Sequence, residues 1–362
     1  MIHITKKKIL IAALFVIFIV LVAASLLIKF NSGLWPWEFL DVATASISFS
    51  KEQAEQKALS FSRNYPEIIK GNWEPSSFHM TKMLNADSGR IKKLGVNTVS
   101  ISAEYGLNKD GSYYLRDEEL LLSNIVKAKE NGFAVLVAPN FVGPTGHNFK
   151  EEGIDVNEEK YLKISEEIAL KWAEISEKYK VEFFAPQNEF NFMVGSNFAE
   201  DNESKKAMIT SKWHKDMLPK IKNIYTGRTV AKLADPTQDI DVTGYDYVGM
   251  TISHGTDSLD GFRNRISDQY KRIQDIAKRS NTKWMVSEAW FPYSGPFYQG
   301  SVNRNGESLD GLQDDYFRIS IEEYKKITEN KPVGYIFIAW IMPGMDVKNR
   351  PAEKVLEDFY SN

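Results

Sequence analysis

Short β-rich runs alternate with amphipathic helical stretches through most of this 362-residue chain, which is the pattern of parallel βαβ units. Strands are expected at Ile68–Trp73, Asn97–Ala103, Phe133–Pro139, Val181–Pro186, Thr229–Ala234, Tyr245–Ile252, Lys283–Ser287 and Gly334–Ile341. Helices are expected between them at Glu118–Asn131, Glu158–Tyr179, Ser204–Ile224, Phe262–Arg279 and Asp314–Asn330. Asp117 reads as the N-cap of the first of these, and Gly132 as its stop. Eight strands with intervening helices over about 290 residues predict an α/β fold, a (β/α)8 TIM barrel. One interval departs from the template. From Ala234 to Tyr245 there is no room for a full helix, so an abbreviated crossover is expected there.

The N-terminus carries a different signal. Lys6, Lys7 and Lys8 precede an uninterrupted apolar run from Ile9 to Ile28, closed by Lys29. As a helix this run would span roughly 30 Å, the thickness of a bilayer's hydrocarbon core. The lysines should stay in the cytoplasm and place the remainder outside, with Trp35 and Trp37 near the outer interface. This predicts a single N-terminal transmembrane helix over residues 1–29 acting as a signal anchor. A juxtamembrane connector follows over 30–64, with helical composition from Lys51 to Arg63, and then a barrel domain over 65–362. A cleaved signal peptide is the rival, since Ala23-Ala24-Ser25 offers small residues. Its apolar region normally runs about 7–15 residues, shorter than this one. Anchored in the cell membrane or secreted, the domain is exported.

Composition removes several classes. The formal charge is −3 and no basic stripe is present, so no nucleic-acid partner is expected. There is no cysteine, which excludes disulfides, thiolate nucleophiles and cysteine-ligated metals. The five histidines form no ligand-spaced cluster, and His147 and His254 stand alone. Neither a metal nor another cofactor is expected.

Two glutamates carry the chemistry. Glu189 ends the run Val181–Glu189, and Glu288 ends Lys283–Glu288, each just past a strand. A core has no use for such carboxylates, because burying one is costly unless it is paired or neutralised. In a barrel, catalytic groups sit at the C-terminal ends of strands, and these two follow strands four and seven. Glu104 and Asp235 also lie at strand ends and are rival carboxylates.

Asn188-Glu189 after strand four, Glu288 ending strand seven and Trp340 ending strand eight resemble the clan A retaining glycoside hydrolases, the cellulase-, mannanase- and galactanase-like barrels. The resemblance covers roughly residues 65–360 and rests on short motifs. It implies Glu189 as general acid/base, Glu288 as nucleophile, Asn188 on the sugar 2-hydroxyl and Trp340 as the floor on which the sugar stacks. A retaining mechanism needs two carboxyls about 5–5.5 Å apart, one to protonate the leaving oxygen and one to attack the anomeric carbon. The chain departs from the clan in two places. Many members carry a tyrosine after strand six, where this chain has Thr251-Ile252-Ser253-His254. Many carry an arginine near strand two, where it has Ser102-Ala103-Glu104-Tyr105. His254 is the candidate for the tyrosine's place.

Trp290, two residues past Glu288, and Asn140, in the loop Pro139–Pro144, complete the candidate substrate contacts. Trp172 and Trp213 occupy helical positions and are expected in the core, and Asn202-Glu203-Ser204 fits a glycosylation sequon. The function expected is retaining hydrolysis of a β-linked oligo- or polysaccharide. The alternatives are a catalytically inactive carbohydrate-binding surface protein on the same barrel and a metal-dependent barrel hydrolase.

Overall fold

The computed structural model describes residues 17–27, 36, 50–141, 148–200, 202–237, 239–253, 258–293 and 309–361. The chain divides into two compact units, residues 1–48 and 49–362. In the first, residues 17–27 are helical; residues 9–16 and 28 of the expected span, and the Trp35 and Trp37 positions, lie outside the described residues. Among the described residues no helix is long and apolar enough to cross a membrane.

The second unit is a closed barrel. Its strands are β1 (Ile69–Trp73), β2 (Thr98–Leu107), β4 (Ala134–Phe141), β5 (Phe183–Phe184), β6 (Arg228–Ala234), β7 (Tyr247–Ser253), β8 (Lys283–Trp290) and β9 (Gly334–Ile338). Each pairs in parallel with its neighbour, and β1 pairs with both β2 and β9, which closes the ring. One short strand, β3 (Tyr113–Leu115), returns antiparallel along the far end of β2 and builds a hairpin wall above the rim.

Helices cover the ring: α1 (Lys51–Ala58), α2 (Ser77–Lys82), α3 (Ser88–Lys93), α4 (Glu118–Glu130), α5 (Glu158–Lys178), α6 (Phe190–Phe198), α7 (Glu203–Lys222), α8 (Leu259–Arg279), α9 (Leu309–Lys325) and α10 (Pro351–Tyr360). Between β6 and β7 no helix intervenes among the described residues, as the short Ala234–Tyr245 interval requires. A π-helical turn, Met83–Asp87, joins α2 to α3 and carries Asp87 toward the barrel. Asp117 takes the N-cap position of α4 as expected, but without the usual cap geometry. Its backbone is left-handed at φ 52° and its side chain makes no cap bond. Lys51–Arg63 yields a helix only to Ala58. Asn202 of the sequon spends its side chain on capping α7, accepting from the Lys205 N–H at 2.9 Å.

Strand periodicity sorts the core into two layers. Ile69, Trp73, Leu136, Phe183, Val230, Tyr247, Met285 and Ile336 fill the barrel interior. Val99, Ile101, Val135, Val137, Ala231, Leu233, Trp284 and Val286 face the helices. Trp172 and Trp213 are buried in that outer layer, as their helical positions predict. Each fully buried large apolar side chain contributes roughly 1.5–3 kcal/mol, so the frame at the strand ends is rigid.

Candidate active site

Glu288 faces the barrel mouth because β8 contains a bulge. Met285 is an inner residue and Val286 an outer one, so unbroken alternation would put Ser287 inside and Glu288 outside. Instead, Met250 pairs with Val286 and the next residue, Thr251, pairs with Glu288, which leaves Ser287 unpaired. Ala289 is then outer and Trp290 inner. A bulge re-aims a side chain in this way, and such bulges concentrate beside active sites. Gly249 makes room for it. A Cβ there would lie 2.7 Å from the Ser287 Cβ.

Glu189 sits at the mouth end of β5, where the chain turns into α6. Its backbone is left-handed at φ 51°, a conformation that costs a non-glycine residue about 1–3 kcal/mol and persists only when its surroundings enforce it. Those surroundings are specific. Phe190 stacks on Trp213 with centroids 4.0 Å apart. Asn191 accepts from the Ala234 N–H at 2.9 Å and donates back to its carbonyl, pinning α6 to the end of β6. The Asn188 N–H donates to the Pro139 carbonyl at 2.6 Å, and its side-chain amide donates to Asn140 Oδ1 at 3.4 Å. Asn140, Asn188 and Glu189 therefore form one continuous edge across β4 and β5.

The electrostatics are dominated by burial. Glu288 is 2% exposed, and burial pushes its carboxyl up to about 7. The Lys232 ammonium works against this, while the nearby negative charge of Glu189 adds to it. Lys232 Nζ lies 2.9 Å from Glu288 Oε2, and both side chains are buried. The same Nζ stands 4.9 Å from the centroid of the Trp73 ring. Among the described residues no group of three His, Asp or Glu side chains could hold a metal ion.

The other expected site residues fall in different places. Trp290 is inward, half-buried, and packs on the barrel-interior cluster. Trp340 goes elsewhere. Its ring is fully buried in the layer between sheet and helices, its indole N–H donates to Asp87 at 3.1 Å, and the Arg90 guanidinium lies over it at 5.2 Å. An indole so enclosed has no face to offer a sugar. His254, His147 and residues 142–144 of the Pro139–Pro144 loop lie outside the described residues. Of the rival carboxylates, Asp235 is bound to Arg272 at 2.6 Å and Gln269 at 3.0 Å on an exposed edge. Glu104 shares a rung with Asn140 on the hairpin wall, 3.9 Å from Arg116, and burial raises it to about 6. Sequence reasoning missed Lys232, Trp73, Asn191 and the Ser287 bulge. Lys232 had a visible signal, a lone charge inside the apolar strand Thr229–Ala234.

Fold and rim together define a (β/α)8 barrel with a pair of carboxylates at its C-terminal mouth. No protein-family model matches the chain, and no curated protein matches it. Solved structures do. A GH113 β-1,4-mannanase superposes with a TM-score of 0.60 at 17% identity, covering 82% of this chain and 100% of that one. The endo-1,4-β-D-mannanase of Thermotoga petrophila gives 0.57 at 13% identity, covering 82% and 99%. A β-D-glucuronidase of Dictyoglomus thermophilum gives 0.53 at 11% identity, covering 82% of this chain and 51% of its own. At these identities the likeness is one of fold.

Proposed function

We propose that the protein is a retaining glycoside hydrolase acting on a β-linked glycan, with Glu288 as nucleophile and Glu189 as acid/base. The observation that carries this reading is the arrangement of the pair: Glu189 in the left-handed turn that follows β5 and Glu288 re-aimed by the bulge of β8, both at the C-terminal mouth of the barrel. Glu288 attacks the anomeric carbon as Glu189 gives its proton to the departing glycosidic oxygen. Water then attacks the glycosyl ester, Glu189 takes its proton, and Glu288 is released as carboxylate with the anomeric configuration retained. Asn188 holds the 2-hydroxyl and Asn140 orients Asn188, a reading that the bond between their side chains supports. Trp290, inward and half-buried, takes the sugar-stacking role.

Since mannanases are among the structural neighbours, β-1,4-mannan is the first substrate to test, beside other β-glycans. Glu288→Gln and Glu189→Gln should each lower turnover by at least about a thousandfold. Wild-type turnover by Glu288→Gln would overturn the reading. We also propose that residues 9–28 anchor the domain to a membrane with the barrel outside. The 20 uncharged residues behind three lysines support this. Retention in the membrane pellet after alkaline extraction is expected, and release of the full-length chain into the supernatant would refute it.

A further inference from the structure

Lys232 stands on the inward face of β6, between Val230 and Ala234, with its ammonium wholly buried. An ammonium taken out of water is costly unless it is paired. Here two contacts compensate it, Glu288 Oε2 at 2.9 Å and the face of Trp73 at 4.9 Å. Three strands, β1, β6 and β8, thus converge on one cation. The groups facing Glu288 are few. Lys232 comes from β6, Glu189 from the end of β5, and Thr251 from β7 brings only a hydroxyl. Among the described residues Lys232 is the cation paired with either glutamate.

We propose that Lys232 is a positioning residue that holds Glu288 ionised and aimed for attack, and so decides which of the two glutamates is the nucleophile. This rests on the glycosidase reading. When Glu288 attacks, its new bond to the anomeric carbon makes a neutral ester and leaves the ammonium without its partner. The charge then favours the second step, in which water displaces the ester and the electron pair returns to Glu288 as carboxylate. Trp73 keeps the ammonium in place through both steps.

The test is the pH profile of kcat/KM on whichever aryl β-glycoside the wild type turns over. The acidic limb, where Glu288 must lose its proton, should move up by at least one pH unit in Lys232→Met and return most of the way in Lys232→Arg. An unmoved limb overturns the proposal. If the wild type turns over no β-glycoside, the glycosidase reading fails on its own, and the ion pair is still readable without substrate. The thermal midpoints of Glu288→Gln and its parent should diverge above pH 4.5 and stop diverging at a higher pH in the Lys232→Met background. Equal stopping points refute the pairing. If Lys232→Met does not fold, the double variant Lys232→Met/Glu288→Gln should fold, because it buries no lone charge. A double variant that fails equally makes Lys232 a packing residue only.

Discussion

Thr251 on β7 stands directly across from Glu288 on β8, and it does so because Ser287 is left out of the pairing. The direction of Glu288 is thus a matter of strand register. Gly249→Ala would push its new methyl into Ser287, costing about 1–3 kcal/mol of stability and disturbing the aim of Glu288. Ser287→Ala keeps the bulge and should be near neutral in both respects. Denaturant melts with kcat/KM on the same samples check this. Equal effects of the two substitutions would contradict it.

The two tryptophans near β8 and β9 should separate cleanly. Trp290→Ala is expected to lower kcat/KM roughly tenfold, about 1.4 kcal/mol, beyond whatever stability its packing on the barrel interior contributes. Trp340→Phe loses the bond to Asp87 and leaves Arg90 a smaller ring to lie over, so it should cost about 1–3 kcal/mol of stability and leave kcat/KM within about twofold. The reverse pattern would restore Trp340 as the sugar platform.

Glu74, at the end of β1, is buried and accepts from the backbone N–H groups of Trp340 and Ile341. Burial pushes its carboxyl up to about 8, against those two bonds. The folded state therefore keeps this proton longer than the unfolded chain does. Stability attached to the group is full below about pH 4.5 and is lost as pH rises toward 8. Glu74→Gln keeps an acceptor and cannot ionise, so it should match the wild type at pH 5 and exceed it above pH 8, by up to about 4 kcal/mol. A pH-independent difference between the two melting curves would contradict this.

At the opposite end of the barrel, Glu182 is fully buried, paired with Lys129 and bonded to the N–H groups of Asn64 and Val135 at 2.9 Å each. Lys129→Met leaves that charge uncompensated and should cost roughly 3–5 kcal/mol. Because the pair lies far down the strands from Glu189 and Glu288, the folded variant should retain wild-type kcat/KM. Reduced turnover at full stability would count against a purely structural role.

Much of the frame was legible because it is periodic. The strand runs, the missing helix after Ala234 and the two rim glutamates all follow from local composition and spacing. What was not legible depends on long-range packing. Trp340 ends its strand as a sugar platform would, but the π turn that brings Asp87 and Arg90 around it cannot be read from residues 83–90 alone. The Ser287 bulge is likewise set by the neighbouring Gly249, and α6 is held by Trp213 and Ala234, both distant in sequence. Lys232 was visible, but its partner on β8 was not.

The central claim, that Glu288 is the nucleophile of a retaining glycosidase, is tested most directly by trapping. Incubation with an activated 2-deoxy-2-fluoro β-glycoside of a substrate sugar, followed by peptide mass spectrometry, should show one fluorinated glycosyl group on Glu288. A label on Glu189 would reverse the two roles. Hydrolysis with no label and with inverted configuration would contradict the double displacement itself.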